Sequence, residues 1–138
     1  MQMTTIKINQ TNEELHKFFM NSDIKRWKEE IEIINVEMIF YKNLLNAHLK
    51  EHASWGEINY ESLFQGIADV QYYNERFQKG LLDFNNRLSG MAECDDLQCE
   101  NHFLNDHTNI KKSIESHFST YKAFKKTLFS YLKIRYNY

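Results

Sequence analysis

His48 and His52, in the string His-Leu-Lys-Glu-His, are the residues of this sequence best spaced for chemistry. The spacing puts both imidazoles on one helix face, where together they can clamp a transition-metal ion. In zinc hydrolases with this pattern a glutamate follows the first histidine as general base. Here that position is Leu49, which excludes their mechanism. A metal centre in a helical bundle also needs ligands from facing helices. Counting levels through turns at 53–57 and 89–95 sets His48 near Glu61 and Tyr121, with His117 about 9 Å further along. The candidate metal set is therefore His48, His52, Glu61 (or Glu57) and His117, for zinc, iron or nickel, and it closes only if the register moves by one turn. A di-iron carboxylate bundle needs two Glu-x-x-His pairs. Glu13–His16 is the one pair present, so the default expectation is no cofactor.

A second ligand-rich stretch is Glu93-Cys94-Asp95-Asp96-Leu97-Gln98-Cys99-Glu100, followed by His102. Two cysteines make no disulfide framework. Placed five apart on one helix they point about 140° from each other. The surrounding carboxylates raise thiol pKa values and lower thiol reactivity. Acids also suit the positive end of a helix dipole, so this stretch reads as a helix start and not as a metal or redox site.

Charge is polarised over the last third. Residues 93–109 hold five acids and no Lys or Arg, whereas 110–138 hold seven Lys/Arg and one acid. A basic C-terminal helix can meet an acidic partner, although cations also suit a helix C-terminus. No paired carboxylates and no activated nucleophile stand out. The expected mode of action is non-enzymatic, by protein–protein interaction or self-association, with the histidine-based metal bundle as the alternative.

Such residues need elements to position them, and composition limits which. The chain has 138 residues and 16.7 kDa, 42% hydrophobic and 26% charged, with four glycines and no proline. That suits one domain, 11–138, behind a flexible tail at 1–10. Scarce glycine and absent proline argue against sandwiches and low-complexity linkers. A net charge of −2 predicts no specific nucleic-acid binding. No apolar run approaches the roughly 20 residues of a membrane span, and the start has no signal-peptide core, so the expected compartment is the cytoplasm.

Heptad seams define the elements. Trp27, Ile31, Ile34, Met38, Tyr41, Leu45, His48 and His52 alternate steps of four and three, the mark of a helix packed lengthwise on others. Tyr60, Leu63, Ile67, Val70, Asn74, Phe77, Leu81, Phe84, Leu88 and Met91 repeat the pattern, as do Phe103, His107, Ile110, Ile114, His117, Tyr121, Phe124, Leu128 and Tyr131. The mid-seam Asn74 can fix register or oligomer state, at a cost in stability. Ser54-Trp55-Gly56 and Ser89-Gly90 mark the turns. Thr11 with Glu14 opens a short leader helix, and Asn21-Ser22-Asp23 signals a break before the first long helix.

The fold expectation is all-α: an up-down antiparallel bundle of three long helices (about 23–53, 57–89 and 95–136) plus a short N-terminal helix. On these lengths the third helix overhangs its neighbours by about 15 Å. It would carry Phe129, Leu132 and Ile134 uncovered, so the expected partner is a second copy, in a homodimer, or another helical protein.

Overall fold

The computed structural model describes residues 12–51 and 59–136. The expected tail at 1–10, His52 and the turn at Ser54–Gly56 with Glu57 lie outside the described residues, as do the side chains of Lys133 and Ile134. The chain is all-α: α1 spans Asn12–Glu51, α2 Tyr60–Leu88 and α3 Leu97–Tyr136, with a 3-10 turn at Ser89–Glu93 after α2.

The first helix departs from expectation. It runs unbroken for 40 residues, so the expected short N-terminal helix and the first long helix are one element across Asn21-Ser22-Asp23. Its seam starts earlier than expected, with Met20 and Ile24 buried ahead of Trp27, Ile31, Ile34 and Met38. A capping residue is worth about 1 kcal/mol, less than burial of either Met20 or Ile24 at about 1.5–3 kcal/mol. The apolar seam therefore carries the helix through Asn21-Ser22-Asp23. Asp23 does not cap a new helix; it pairs with Arg26 at 3.1 Å and His107 at 2.8 Å.

Helix α2 begins conventionally, with the Asn59 side chain accepting the Ser62 N–H at 3.0 Å. Gly66 sits where α2 meets α3. A Cβ there would lie 2.3 Å from the Phe124 ring, so its hydrogen side chain permits the close approach. Helix α3 is capped by Asp96, which accepts the Cys99 N–H at 2.8 Å.

Contacts between named residues give the directions. Asn74 of α2 meets Ile31 and Asn35 of α1, and Tyr60 meets His48, so residue numbers rise on α1 as they fall on α2. Against α3, Arg87 meets Asp106 and Asn74 meets His117. Helices α1 and α3 run parallel in one register: His16 pairs with Glu100, Asp23 with His107 and Glu37 with Tyr121, each 84 residues apart. The pairs fall at whole-heptad intervals, so α1 and α3 stay in phase along the seam. Both helices have 40 residues, and the overhang argued from unequal lengths does not arise. Leu128 and Leu132 are buried against Met38, Leu45 and Leu63, while Phe129 is exposed.

Three core layers follow. Met20, Ile24, Phe84, Leu88 and Met91 close the end where α1 and α3 start. Trp27, Ile31, Leu81 and Ile114 form the middle. The third layer, around Ile34, Met38, Ile67 and Tyr121, reaches Leu132. No described helix is long and apolar enough to cross a membrane.

Candidate functional site

One residue from each helix meets in a polar layer inside the bundle. The Asn74 amide donates to the Ile31 carbonyl and to Asn35 Oδ1, both at 2.8 Å. Both its N–H bonds are then used, so its Oδ1 must accept, and His117 Nε2 lies 2.8 Å away as the donor. That fixes the His117 tautomer. The ring stacks on Phe77, centroids 5.0 Å apart. Burial pushes the imidazole pKa below its ordinary value, keeping the ring neutral. With these bonds made, the layer fixes the relative height of three helices, as a polar seam residue does in a coiled coil.

Further polar pairs tie α1 to α3. His107 bonds Asp23 and stacks on Trp27, centroids 5.6 Å apart. His16 contacts Glu100 at 3.0 Å. Glu37 accepts from the Tyr121 hydroxyl at 2.7 Å and from Lys125. Burial, then the hydrogen bond and charge of Glu37, raise the Tyr121 pKa well above the usual phenol value.

The four residues proposed as metal ligands fall differently. His48 is buried with its Nδ1 2.7 Å from the Tyr60 hydroxyl. Glu61, one residue on from Tyr60, is exposed. His117 belongs to the Asn74 layer, fourteen residues along α2 from Tyr60, which is about 21 Å from His48. His52 lies outside the described residues. The α1–α2 level was nearly right, but α3 sits about six residues, or 9 Å, from its expected height against α2. The reason is the connector: a 3-10 turn and an extended Cys94 with φ −64° and ψ 124° separate α2 from α3. Among the described residues, no group of three His, Cys, Asp or Glu side chains converges in a way that could hold a metal.

The same connector corrects the reading of the thiols. Cys94 and Cys99 form a disulfide. The 140° divergence assumed one continuous helix, whereas Cys94 precedes α3 and turns its side chain back over the first turn. The expected helix start is present, held both by this bridge and by the Asp96 cap.

A feature that seams alone do not reveal is the outer face of α1. Ile33, Val36, Ile39 and Phe40 are 50%, 68%, 56% and 60% exposed, while Ile34 and Met38 between them are buried. A helix apolar on every side normally has neighbours on every side; among the described residues α1 packs against α2 and α3, both on its inner face. The signal was present in the run Ile33 to Tyr41, in which only Asn35 and Glu37 are strongly polar. On the opposite side of the molecule a groove of about 490 Å³ runs between α2 and α3, lined by Tyr73, Phe77, Gly80, Ile110 and Ser113.

No protein-family model matches the chain, and neither a curated protein nor a solved structure shows significant similarity to it.

Proposed function

We propose that this protein is a non-catalytic, up–down–up helical bundle that works by contact with other proteins, using the outer face of α1. The observation that carries this reading is the exposed cluster of Ile33, Val36, Ile39 and Phe40 at the middle of a 40-residue helix. Exposed large apolar side chains grouped in this way mark interaction surfaces on soluble folds. The interior polar groups support the same reading. Asn74, His117 and Asn35 bond one another, Glu37 bonds Tyr121 and Lys125, and Asp23 bonds His107. Their bonding capacity is spent on holding helices together.

The test is a photoreactive benzoylphenylalanine at position 40 of the chain expressed in its native host. The reading expects discrete protein adducts that disappear when Val36→Asp is added. It also expects none from the same probe at the exposed Glu75. Absence of a discrete adduct from folded protein, or adducts indifferent to Val36→Asp, would overturn it.

A further inference from the structure

The exposed face of α1 is a second heptad seam, back to back with the first. Glu29, Ile33, Val36, Phe40, Asn43 and Ala47 follow one another in steps of four and three, and all are exposed. Large apolar residues occupy the centre of this seam, and its ends are polar or small. Such a seam is nearly symmetric about a point between Val36 and Glu37. A surface of that kind can cover itself under a two-fold axis.

We infer that the occupant of this face is a second copy of the same chain, packed α1 against α1 in antiparallel sense. This rests on the reading that the face is the contact surface. About the two-fold axis, Ile33 comes opposite Phe40 of the second copy, and Val36 packs near its own equivalent. The flanking charges decide the direction. Glu32 comes beside Lys42 of the second copy, and symmetry makes this pair twice. A parallel pairing instead sets Glu29, which lies on the seam, against Glu29 of the second copy, and takes Glu32 away from Lys42. Like charges facing one another across an interface discriminate against that arrangement.

The neighbouring helices are charge-polarised and compatible with this arrangement. Helix α2 has Glu61 and Asp69 in its first half and Arg76, Lys79 and Arg87, with Glu75 and Asp83, in its second. Helix α3 begins among the acids of 93–106 and is basic from Lys111 onward, apart from Glu115. In an antiparallel pair each helix flanks its own equivalent running the other way, so opposite signs lie side by side on both flanks. A parallel pair sets α2 beside α3 of the second copy, where acidic ends also meet basic ends, so the choice of direction rests on the charges of α1.

One helix laid on one helix makes a small interface, at or below about 1,200 Å² in total, the range of weak complexes. A dissociation constant on the order of 10 µM is expected.

Sedimentation equilibrium of the full chain from about 1 to 200 µM tests this. The expected result is a monomer–dimer equilibrium. Phe40→Asp and Val36→Ser, both at positions exposed in the protomer, each weaken it about tenfold or more and leave the thermal melt unchanged. If Phe40→Asp fails to fold, Val36→Ser decides. Glu32→Lys and Lys42→Glu each weaken association about 3- to 10-fold, and the double reversal restores it. A monomer at the highest concentration overturns the inference, as does a dimer indifferent to both apolar substitutions. A dimer that the double reversal does not restore overturns the antiparallel arrangement. If the wild type is monomeric yet position 40 still crosslinks to a different protein, the second copy is wrong and the interaction reading stands. If position 40 crosslinks to nothing, both fail.

Discussion

Glu37 on α1 and Tyr121 on α3, 84 residues apart, meet at 2.7 Å, and Lys125 one turn further along donates to the same carboxylate. Burial pushes the Glu37 carboxyl upward. The hydrogen bonds from Lys125 and Tyr121 and the Lys125 charge overcome it, leaving the pKa below the ordinary value. A carboxylate with a depressed folded pKa contributes stability above its unfolded pKa of about 4.3 and loses it as pH falls through the folded value. Glu37→Gln is therefore expected to cost about 1–2 kcal/mol at pH 7 and much less near pH 3, measured by urea unfolding at both pH values.

His117 is shifted in the same direction, by burial alone, so its pH dependence has the same sign. Burial lowers its pKa, so between about pH 6.5 and the folded pKa the unfolded chain binds a proton that the folded chain does not. Stability should be full above about pH 6.5 and fall below it. His117→Gln can still donate to Asn74 Oδ1 and is expected to flatten that part of the profile. An unchanged slope between pH 7 and 5 would show that other histidines set it.

Asn74→Ala strands Asn35 Oδ1 and the His117 N–H together, while the Ile31 carbonyl keeps its helical bond. Each buried polar group left unpaired costs about 1–3 kcal/mol, so a loss of roughly 2–5 kcal/mol is expected by chemical denaturation. A loss below about 1 kcal/mol would mean that water replaces the amide and that the layer does not fix register.

The two helical glycines of α2 should behave oppositely. Nothing lies within 4 Å of a Cβ built at Gly80, whereas one at Gly66 runs into Phe124. Gly80→Ala is expected to stabilise by about 0.5–1 kcal/mol from helix propensity alone. Gly66→Ala should destabilise despite the same propensity gain. Thermal melts of the two variants side by side give the comparison.

Reduction of Cys94–Cys99 opens a loop with a sequence separation of 5. A ring that small limits the unfolded-chain effect to about 2 kcal/mol. Purified protein without reductant should resist maleimide labelling when denatured, and dithiothreitol should lower the melting temperature modestly. Labelling of both thiols without reductant would exclude the bridge.

Most of the interior was legible because heptad spacing is a strong signal over long helices. Trp27, Ile31, Ile34, Met38 and Leu45, then Leu63, Ile67, Val70, Asn74, Leu81, Phe84 and Leu88, and Ile114, His117, Tyr121 and Leu128 were placed on seams and are buried. The continuity of α1 was not legible, because Asn21-Ser22-Asp23 carries a cap signal weaker than the burial of Met20 and Ile24. The height of α3 was missed because a 3-10 turn and an extended Cys94 cannot be counted from periodicity. That one error also misplaced His117 relative to His48 and hid the disulfide. The outer stripe of α1 was visible as surplus apolar residues, but sequence alone did not say that Ile33, Val36, Ile39 and Phe40 stay exposed.

The constant spacing between α1 and α3 has a mechanical corollary. Because the two helices are parallel, the start of α1 at Asn12 and the end of α3 at Tyr136 lie at opposite ends of the molecule, about 60 Å apart. Tension applied between them slides α1 lengthwise against α3, as in a lap joint. His16–Glu100, Asp23–His107 and Glu37–Tyr121 are then loaded side by side, and the joint resists until all three give way together.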